Sequence, residues 1–457
     1  MVVFWLDSLK SSLHNWLVDY NQLANLLTSV DAKSVYLRFN PDVFDFSDLE
    51  SPAQIEVFTG QESHFVVSLT KDNICLTLSM FQLSLFSKEK KLIVWDWKSF
   101  VSYARFLTKT DFIVDCSIID LKVIESYGGI KQKSPLCLTE ALNRLRNLVS
   151  SGIWKEIESI YKQIHLPLIT TVLPNIETTG IIDPDQQAMA YSHYEIDGQE
   201  NGRFRSFDAF KHSFLPHALK PEKREVLKPR SQDELFMLFD FKGMEVYMLA
   251  WMSKDPLLQR LCREADIYSE LYRCLTDKEP VCKEDREFAK KSFLPHIYGQ
   301  SAYSLSQRCG VAMDIAERVV ERISSLFPTA LMFVANYEQQ LRETGYAKDI
   351  FGKRRVNFES GKEYLVRNFC VQAPAATVCS EKLISLYFAL KGKADISYTV
   401  HDGFVVYATK DNWKQIFATG YDVLTGESVL CPGLRLKVAC RAGRNLNGLK
   451  PLVRKGS

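Results

Sequence analysis

Two hydrophobic runs, each carrying an aspartate at one end, constrain this chain more than any other feature. The first is Leu235-Phe236-Met237-Leu238-Phe239-Asp240-Phe241-Lys242-Gly243-Met244-Glu245. The second, Tyr398-Thr399-Val400-His401-Asp402-Gly403-Phe404-Val405-Val406, reads as an apolar hairpin with a carboxylate at its turn. Aspartates presented from two strand ends can hold two divalent cations for phosphoryl transfer. One cation activates the attacking oxygen and the other steadies the leaving pyrophosphate. An aspartate at a strand end is common, so the pair gains weight only from what lies between its members.

What lies between is a cationic helix, Arg286-Glu287-Phe288-Ala289-Lys290-Lys291-Ser292-Phe293-Leu294-Pro295-His296-Ile297-Tyr298-Gly299. Arg286, Lys290, Leu294 and Tyr298 recur at helical spacing and share one face. Arginine offers a planar fork and lysine a point charge, so the two can grip a triphosphate. A tyrosine two turns on can stack under a base. The same spacing also fits a solvated amphipathic helix.

From Tyr161 to the C-terminus the chain resembles the family A DNA polymerases, the group of bacterial repair and phage replicative enzymes. Tyr161–Pro184, with Pro167-Leu168 and Ile176-Glu177 before Gly180, resembles the segment preceding the thumb. Gly202-Arg203 resembles the GR motif, Asp240–Ala250 motif A, Arg286–Gly299 motif B and His401-Asp402 motif C. Gly345-Tyr346 and Phe351-Gly352-Lys353-Arg354-Arg355 resemble the fingers segment, and Asn368 and Gln372 match its NxxxQ motif. The motifs stand in the family's order. The resemblance implies that Asp240 and Asp402 bind two Mg²⁺ ions, with Mn²⁺ an alternative. It implies that Arg286 and Lys290 bind the phosphates of a deoxynucleotide, and that Lys290 is a proton donor to pyrophosphate. Tyr298 would then stack at the insertion site, with Leu294 beside it. Arg203, Asn368, Gln372 and His401 would contact primer-template DNA.

Glu245 follows Asp240 where the family keeps a glutamate. A carboxylate beside the sugar's C2′ leaves no room for a hydroxyl, and burying an unsatisfied hydroxyl costs about 1–3 kcal/mol. Deoxynucleotides are therefore expected. Leu294, in place of the family's usual Phe or Tyr, and Gly403, in place of an acidic residue, lean instead towards the related single-subunit RNA polymerases. Three readings stay open: a DNA polymerase without proofreading, an RNA polymerase or primase-like enzyme on the same fold, and a replication scaffold that has lost catalysis. The intact aspartates, Arg286, Lys290 and Tyr298 count against the scaffold.

The fold expected from the resemblance is α/β (α+β). Residues 1–130 form a degenerate, RNase H-like 3′–5′ exonuclease-type domain. Residues 131–201 form a helical linker with a vestigial thumb. Residues 202–457 form palm and fingers, with fingers at about 253–360. Strands are expected at Ser34–Phe39, Phe65–Leu69, Ile74–Leu78 and Leu92–Trp95, and a helix at Ser99–Leu107. Further helices are expected at Leu136–Ser150, Ile153–Ile164, Thr170–Thr179, Met244–Trp251, Asp285–His296, Tyr303–Cys309, Met313–Phe327 and Val378–Leu390.

Four departures from the family pattern stand out. Pro295 replaces a glycine and predicts a kink or break in its helix. Tyr268 replaces a histidine, weakening one phosphate contact. Between Gly180 and Gly202 lie only twenty-one residues (181–201), far fewer than the family places there. A thumb grips duplex through phosphate contacts, so weak, distributive DNA binding is expected unless a processivity partner or the basic tail compensates. Finally, an exonuclease site needs clustered carboxylates to hold its metals. The strand Ser34–Phe39 has none, and Asp96 is followed by Phe100 where a second acid is expected, which leaves Asp115 and Asp120 as stragglers.

Net charge is only +2 over 457 residues, so any nucleic-acid surface must be a local patch. After Leu434 the chain carries Arg435, Lys437, Arg441, Arg444, Lys450, Arg454 and Lys455 and no Asp or Glu. Eleven cysteines without a CxxC pair read as the reduced thiols of an intracellular protein. No apolar stretch reaches membrane-span length. The N-terminus fits neither a secretory signal nor a transit peptide, so a cytoplasmic setting in a bacterial or phage-infected cell is expected.

Overall fold

The computed structural model describes residues 34–39, 53–59, 63–69, 91–108, 117–130, 138–196, 199–208, 213–356 and 363–454. The expected strand Ile74–Leu78, Asp115 and the tail residue Lys455 lie outside them. The chain divides into two compact units. One comprises Met1–Ser126, Ile130–Thr178 and Asp208–Ser213. The other comprises Tyr127–Gly129, Thr179–Phe207 and Phe214–Ser457.

The first unit contains a mixed five-stranded sheet of β1 (Ser34–Phe39), β2 (Ala53–Thr59), β3 (Ser63–Leu69), β4 (Lys91–Trp95) and β5 (Ser117–Asp120), in the order β3-β2-β1-β4-β5. β2 runs antiparallel to both β1 and β3. β4 runs parallel to β1, and β5 parallel to β4. Parallel neighbours need a crossover, and α1 (Trp97–Thr108) supplies it between β4 and β5. α2 (Leu121–Tyr127), α3 (Leu138–Ser150) and α4 (Ile153–Ile160) follow.

The two helices expected at 153–164 and 170–179 form one continuous winding. α4 passes into wide π turns at Tyr161–His165 and Leu168–Val172 and then into α5 (Leu173–Thr179). Pro167 stands between the two wide turns and has no N–H to donate. The chain widens there rather than stopping. α5 delivers Glu177, wholly buried, to the Lys98 ammonium of α1 at 2.6 Å. The Ser102 hydroxyl donates to the second Glu177 oxygen.

The second unit is organised by an antiparallel sheet. Short ribbons come first: β6 (Ile181–Asp183) with β7 (Ala188–Ala190), and β8 (His193–Glu195) with β9 (Arg205–Phe207). β6, β7 and β8 lie between Gly180 and Gly202, β9 lies just beyond Gly202, and α6 (Pro221–Val226) follows. β10 (Glu234–Phe241) is the central strand, with β11 (Ala347–Lys348) and β12 (Arg354–Arg355) forming a separate ribbon. Around β10 the order is β13 (Ile396–Val400), β14 (Gly403–Thr409), β10, β15 (Val438–Gly443), β16 (Lys450–Leu452).

Strand alternation sends successive β10 side chains to opposite faces. Phe236 joins a cluster with Ile181, Ala190, Phe214, Leu227 and Tyr407. Phe239 points the other way. It meets the helix Trp413–Thr425 at Gly420, where even a Cβ would stand 2.5 Å from the Phe239 ring.

Between β10 and β13 lies the helical block. It comprises α7 (Met244–Ser253), α8 (Pro256–Leu261), α9 (Ile267–Thr276), α10 (Lys283–Ile297), α11 (Ala302–Cys309), α12 (Met313–Leu326), α13 (Pro328–Thr344) and α14 (Val366–Leu390); Trp413–Thr425 is α15. α10 runs through Pro295 without interruption and ends two residues later, at Ile297. Pro295 falls in the last turn, so the missing donor removes one bond from a helix already ending. The Pro295 carbonyl accepts from Gln300 N–H at 2.9 Å. The helix expected at 378–390 starts at Val366 and carries Asn368, Gln372 and Pro374. No helix among the described residues is long and apolar enough to cross a membrane.

Candidate active site

The two aspartates are brought together by main-chain pairing. Asp240 on β10 stands opposite Gly403 on β14 and opposite Ala439 on β15. The Phe241 N–H donates to the Asp402 carbonyl at 3.1 Å. The hairpin turn is tight, and His401 takes a left-handed φ of 50° there, a conformation sparsely populated by non-glycine residues. Gly403 fits against the site because it has no side chain: a Cβ would lie 3.4 Å from Asp240 Oδ1 and 3.3 Å from the Phe239 carbonyl.

One cavity of about 640 Å³ is lined by Asp240, Glu245, Arg286, Lys290, Leu294 and Asp402, with further residues of β15, β16 and α9. Burial raises the pKa of Asp240, opposed by Arg441 and reinforced by Asp402. Burial likewise raises Asp402, opposed by Arg203 and reinforced by Glu245. Two partly desolvated carboxylates facing one space are each stabilised as anions by a cation placed between them. Among the described residues no group of three or more His, Cys, Asp or Glu forms a closed metal cage. Mg²⁺ is commonly held by one or two carboxylates, with water and substrate phosphates completing its octahedron. The donor set here fits that pattern.

α10 presents Arg286, Lys290 and Leu294 to the cavity. Arg286 is forked onto Asp266, with Nη2 3.0 Å from Oδ1 and Nε bonded to Oδ2. This fixes its orientation and leaves Nη1 for a ligand. Lys290 Nζ lies 2.9 Å from Glu287 and 5.2 Å from the centre of the Tyr268 ring. Tyr268 thus meets the same lysine with its π face. Burial, with Glu245 and Asp402 nearby, pushes the Tyr268 hydroxyl up to about 12, so it stays a neutral donor.

Tyr298 sits at the C-cap of α10 and does not line the cavity. Its hydroxyl donates to Glu245 Oε2 at 2.8 Å. Glu245 also accepts from Arg203 Nη2 at 2.8 Å and from Gln372 Nε2 at 3.3 Å. Arg203 reaches Asp402 Oδ1 at 3.6 Å, and Gln372 accepts from Asn201 at 3.1 Å. Burial works against the Arg203 charge, but Asp402 and Glu245 outweigh it and raise its pKa.

A second, small cavity of about 20 Å³ is lined by Arg203, His217, His401 and Asp402, among others. The rings of His217 and His401 lie 5.1 Å apart. Burial, helped by His401 and Arg203, lowers His217 to about 4. Asn368 lines neither cavity, and its buried Oδ1 has no partner. Sequence reasoning missed Asn201, Asp266 and His217 as parts of this network. Asp266 alone carried a signal, through its position two residues before Tyr268.

The family model of DNA polymerase family A matches residues 191–448. The chain belongs to DNA polymerase family A. Among family A relatives, it is 26% identical over 234 residues to DNA polymerase I of Chloroflexus aurantiacus, covering 48% of this chain and 24% of that protein. It is 26% identical over 217 residues to the thermostable DNA polymerase I of Thermus aquaticus, covering 45% of this chain and 26% of that protein. The match thus spans about a quarter of the length of these relatives. The fold is that of the POL domain of Pol1 from M. smegmatis, a structure of a complex with DNA primer-template and dNTP. The TM-score is 0.70 at 12% identity, covering 96% of this chain and 98% of that one. A mixed α/β polymerase-domain fold is therefore in place.

Proposed function

We propose that this chain is a template-directed DNA polymerase that adds deoxynucleotides to a primer 3′ end. The observation that carries this is the single cavity shared by Asp240, Asp402, Glu245, Arg286 and Lys290. Asp240 and Asp402 would hold two Mg²⁺ ions, or Mn²⁺. Bound there, the cations supply Lewis-acid activation of the primer hydroxyl and charge neutralisation at the leaving pyrophosphate. Arg286 and Lys290 bind the incoming triphosphate, and Lys290 delivers a proton to the pyrophosphate oxygen. Arg203, Gln372, Asn368 and His401 face the primer-template.

Glu245 excludes the ribose 2′-hydroxyl, and its position is set by three donors, Arg203, Tyr298 and Gln372. Replacing it with alanine opens that space. In Glu245→Ala the ratio of dNTP to rNTP incorporation efficiency should fall by about 10- to 100-fold, since one buried unsatisfied hydroxyl costs about 1–3 kcal/mol. Steady-state primer extension with each nucleotide set measures the ratio. An unchanged ratio would remove Glu245 from sugar selection; a wild type that prefers ribonucleotides would favour the RNA-polymerase reading, which Leu294 in the cavity wall supports.

The domain reading follows the same lines: an exonuclease-type domain at 1–130, a linker and reduced thumb at 131–201, palm and fingers at 202–457 with fingers at about 253–360. The division between compact units after Thr178 falls inside that linker. In favour of the exonuclease-type reading is the sheet order, with three antiparallel strands followed by two parallel ones. In favour of its inactivity is the state of its acids. Asp96 is paired with Lys122 Nζ at 2.7 Å. Despite burial, Lys122 and Lys98 hold the Asp96 carboxyl well below the usual range. Asp120 accepts from Trp97 N–H at 2.8 Å, and burial together with Asp96 raises it to about 6. Lysine thus occupies the place where a cation would be needed.

On a long primed single strand the purified protein should add short runs per binding event and leave a mismatched 3′ end in place. Long uninterrupted products would overturn the reduced-thumb reading. Excision lost in Asp96→Ala would overturn the inactive-exonuclease reading.

A further inference from the structure

On the polymerase reading above, we infer that Arg441 is a further phosphate-binding residue of the catalytic cavity, parked on Asp240 until the charge of that carboxylate is taken up. Arg441 stands on β15 opposite Leu238, and Ala439 stands opposite Asp240. Leu238 and Asp240 share a face of β10, so Arg441 projects from that same face on the neighbouring strand. Its guanidinium reaches Asp240 Oδ2 at 3.8 Å. That separation is an ion pair but too long for a hydrogen bond.

Two other arginines line the cavity, and both are more firmly engaged. Arg286 is forked onto Asp266, and Arg454 bonds to Asp422. Among the described residues Arg441 makes no side-chain hydrogen bond, and its side chain is 47% exposed. A half-exposed pair at this distance adds little to stability, so holding the sheet together does not account for it. What the position offers is a planar fork of N–H donors beside the carboxylate that receives a cation. Phosphate oxygens are the acceptors that such a fork fits best.

With Asp240 charged and alone, the guanidinium is drawn to it. With that charge neutralised the attraction is gone, and Arg441 is free to meet an anion entering the cavity. The anion is either the polyphosphate end of the nucleotide or a phosphodiester of the primer.

The test is a calorimetric titration in metal-free buffer of the wild-type chain, Asp240→Asn, Arg441→Gln and the double variant. Inorganic tripolyphosphate is one probe and a short single-stranded oligonucleotide the other. Asp240→Asn should bind tripolyphosphate on the order of tenfold more tightly than wild type. Arg441→Gln should remove most of that gain, and Arg441→Lys should keep part of it. The same pattern seen with the oligonucleotide alone assigns the phosphodiester as the ligand. A gain that survives intact in the double variant with both probes overturns the inference. Primer extension by the wild type separates the two levels. If the wild type extends a primer and the titrations ignore Arg441, only the role of Arg441 falls. If the wild type extends nothing in Mg²⁺ or Mn²⁺, the polymerase reading falls with it.

Discussion

Asp402→Asn should lower primer extension in Mg²⁺ by about a thousandfold or more while leaving the fold intact. A metal-held transition state is worth several kcal/mol, and each ~1.4 kcal/mol is a tenfold change in rate. Asparagine keeps the shape of the side chain. It also keeps the Asp402 carbonyl that accepts from Phe241 N–H, so β10 and the hairpin stay in register. Burial already disfavours the Asp402 charge, and its removal should leave the melting temperature unchanged or slightly raised. Arg203 loses one counter-charge and retains Glu245. Extension within tenfold of wild type, from a variant with an undisturbed circular dichroism spectrum, would remove Asp402 from the reaction.

Glu177→Ala should have the largest effect on stability, about 3–5 kcal/mol. Glu177 is wholly buried and Lys98 is 5% exposed. Deleting one member of a buried pair leaves the other charge poorly compensated. The Ser102 hydroxyl loses its acceptor as well. The damage belongs to the unit holding α1 and α5, and limited proteolysis should show cleavage between residues 91 and 179 well below the wild-type melting temperature. Glu177→Gln, which keeps the hydrogen-bond acceptor and loses the charge, should fall between the two. Wild-type protease resistance in Glu177→Ala would mean that the ion pair contributes nothing net.

The parts of the fold legible in the sequence were those with a strong local period. β10 announced itself as an apolar run closed by Asp240, and α10 as a repeat of Arg286, Lys290, Leu294 and Tyr298. α13 and α15 were not expected. α13 opens on Pro328 directly after Phe327, where a chain break is as easily read as a helix start. α15 carries Gly420, a poor helix former, kept where a Cβ would strike Phe239. That requirement comes from a strand far away in the chain and leaves no local trace.

The candidate site divides in the same way. Asp240, Asp402, Arg286 and Lys290 were picked out by residue type and order, and one cavity gathers them. Where Tyr298 points was not legible. Its hydroxyl turns to Glu245, a contact between helices far apart in the chain. Arg441 was visible only as one charge in a basic tail, because its nearness to Asp240 depends on which strand pairs with β10. At Pro295 the general rule held chemically, but its consequence was small because the helix was already finishing.

The spacing of the Asp240 and Asp402 carboxylates is measured out by peptide groups. Asp240 faces Gly403 across a ladder, and the neighbouring amide clasps the Asp402 carbonyl. A ruler made of backbone does not care which side chains decorate it. Surrounding side chains can be exchanged without breaking the main-chain pairing that sets one acid relative to the other. The walls of the cavity can therefore be rebuilt around this pair while the pair itself stays in place.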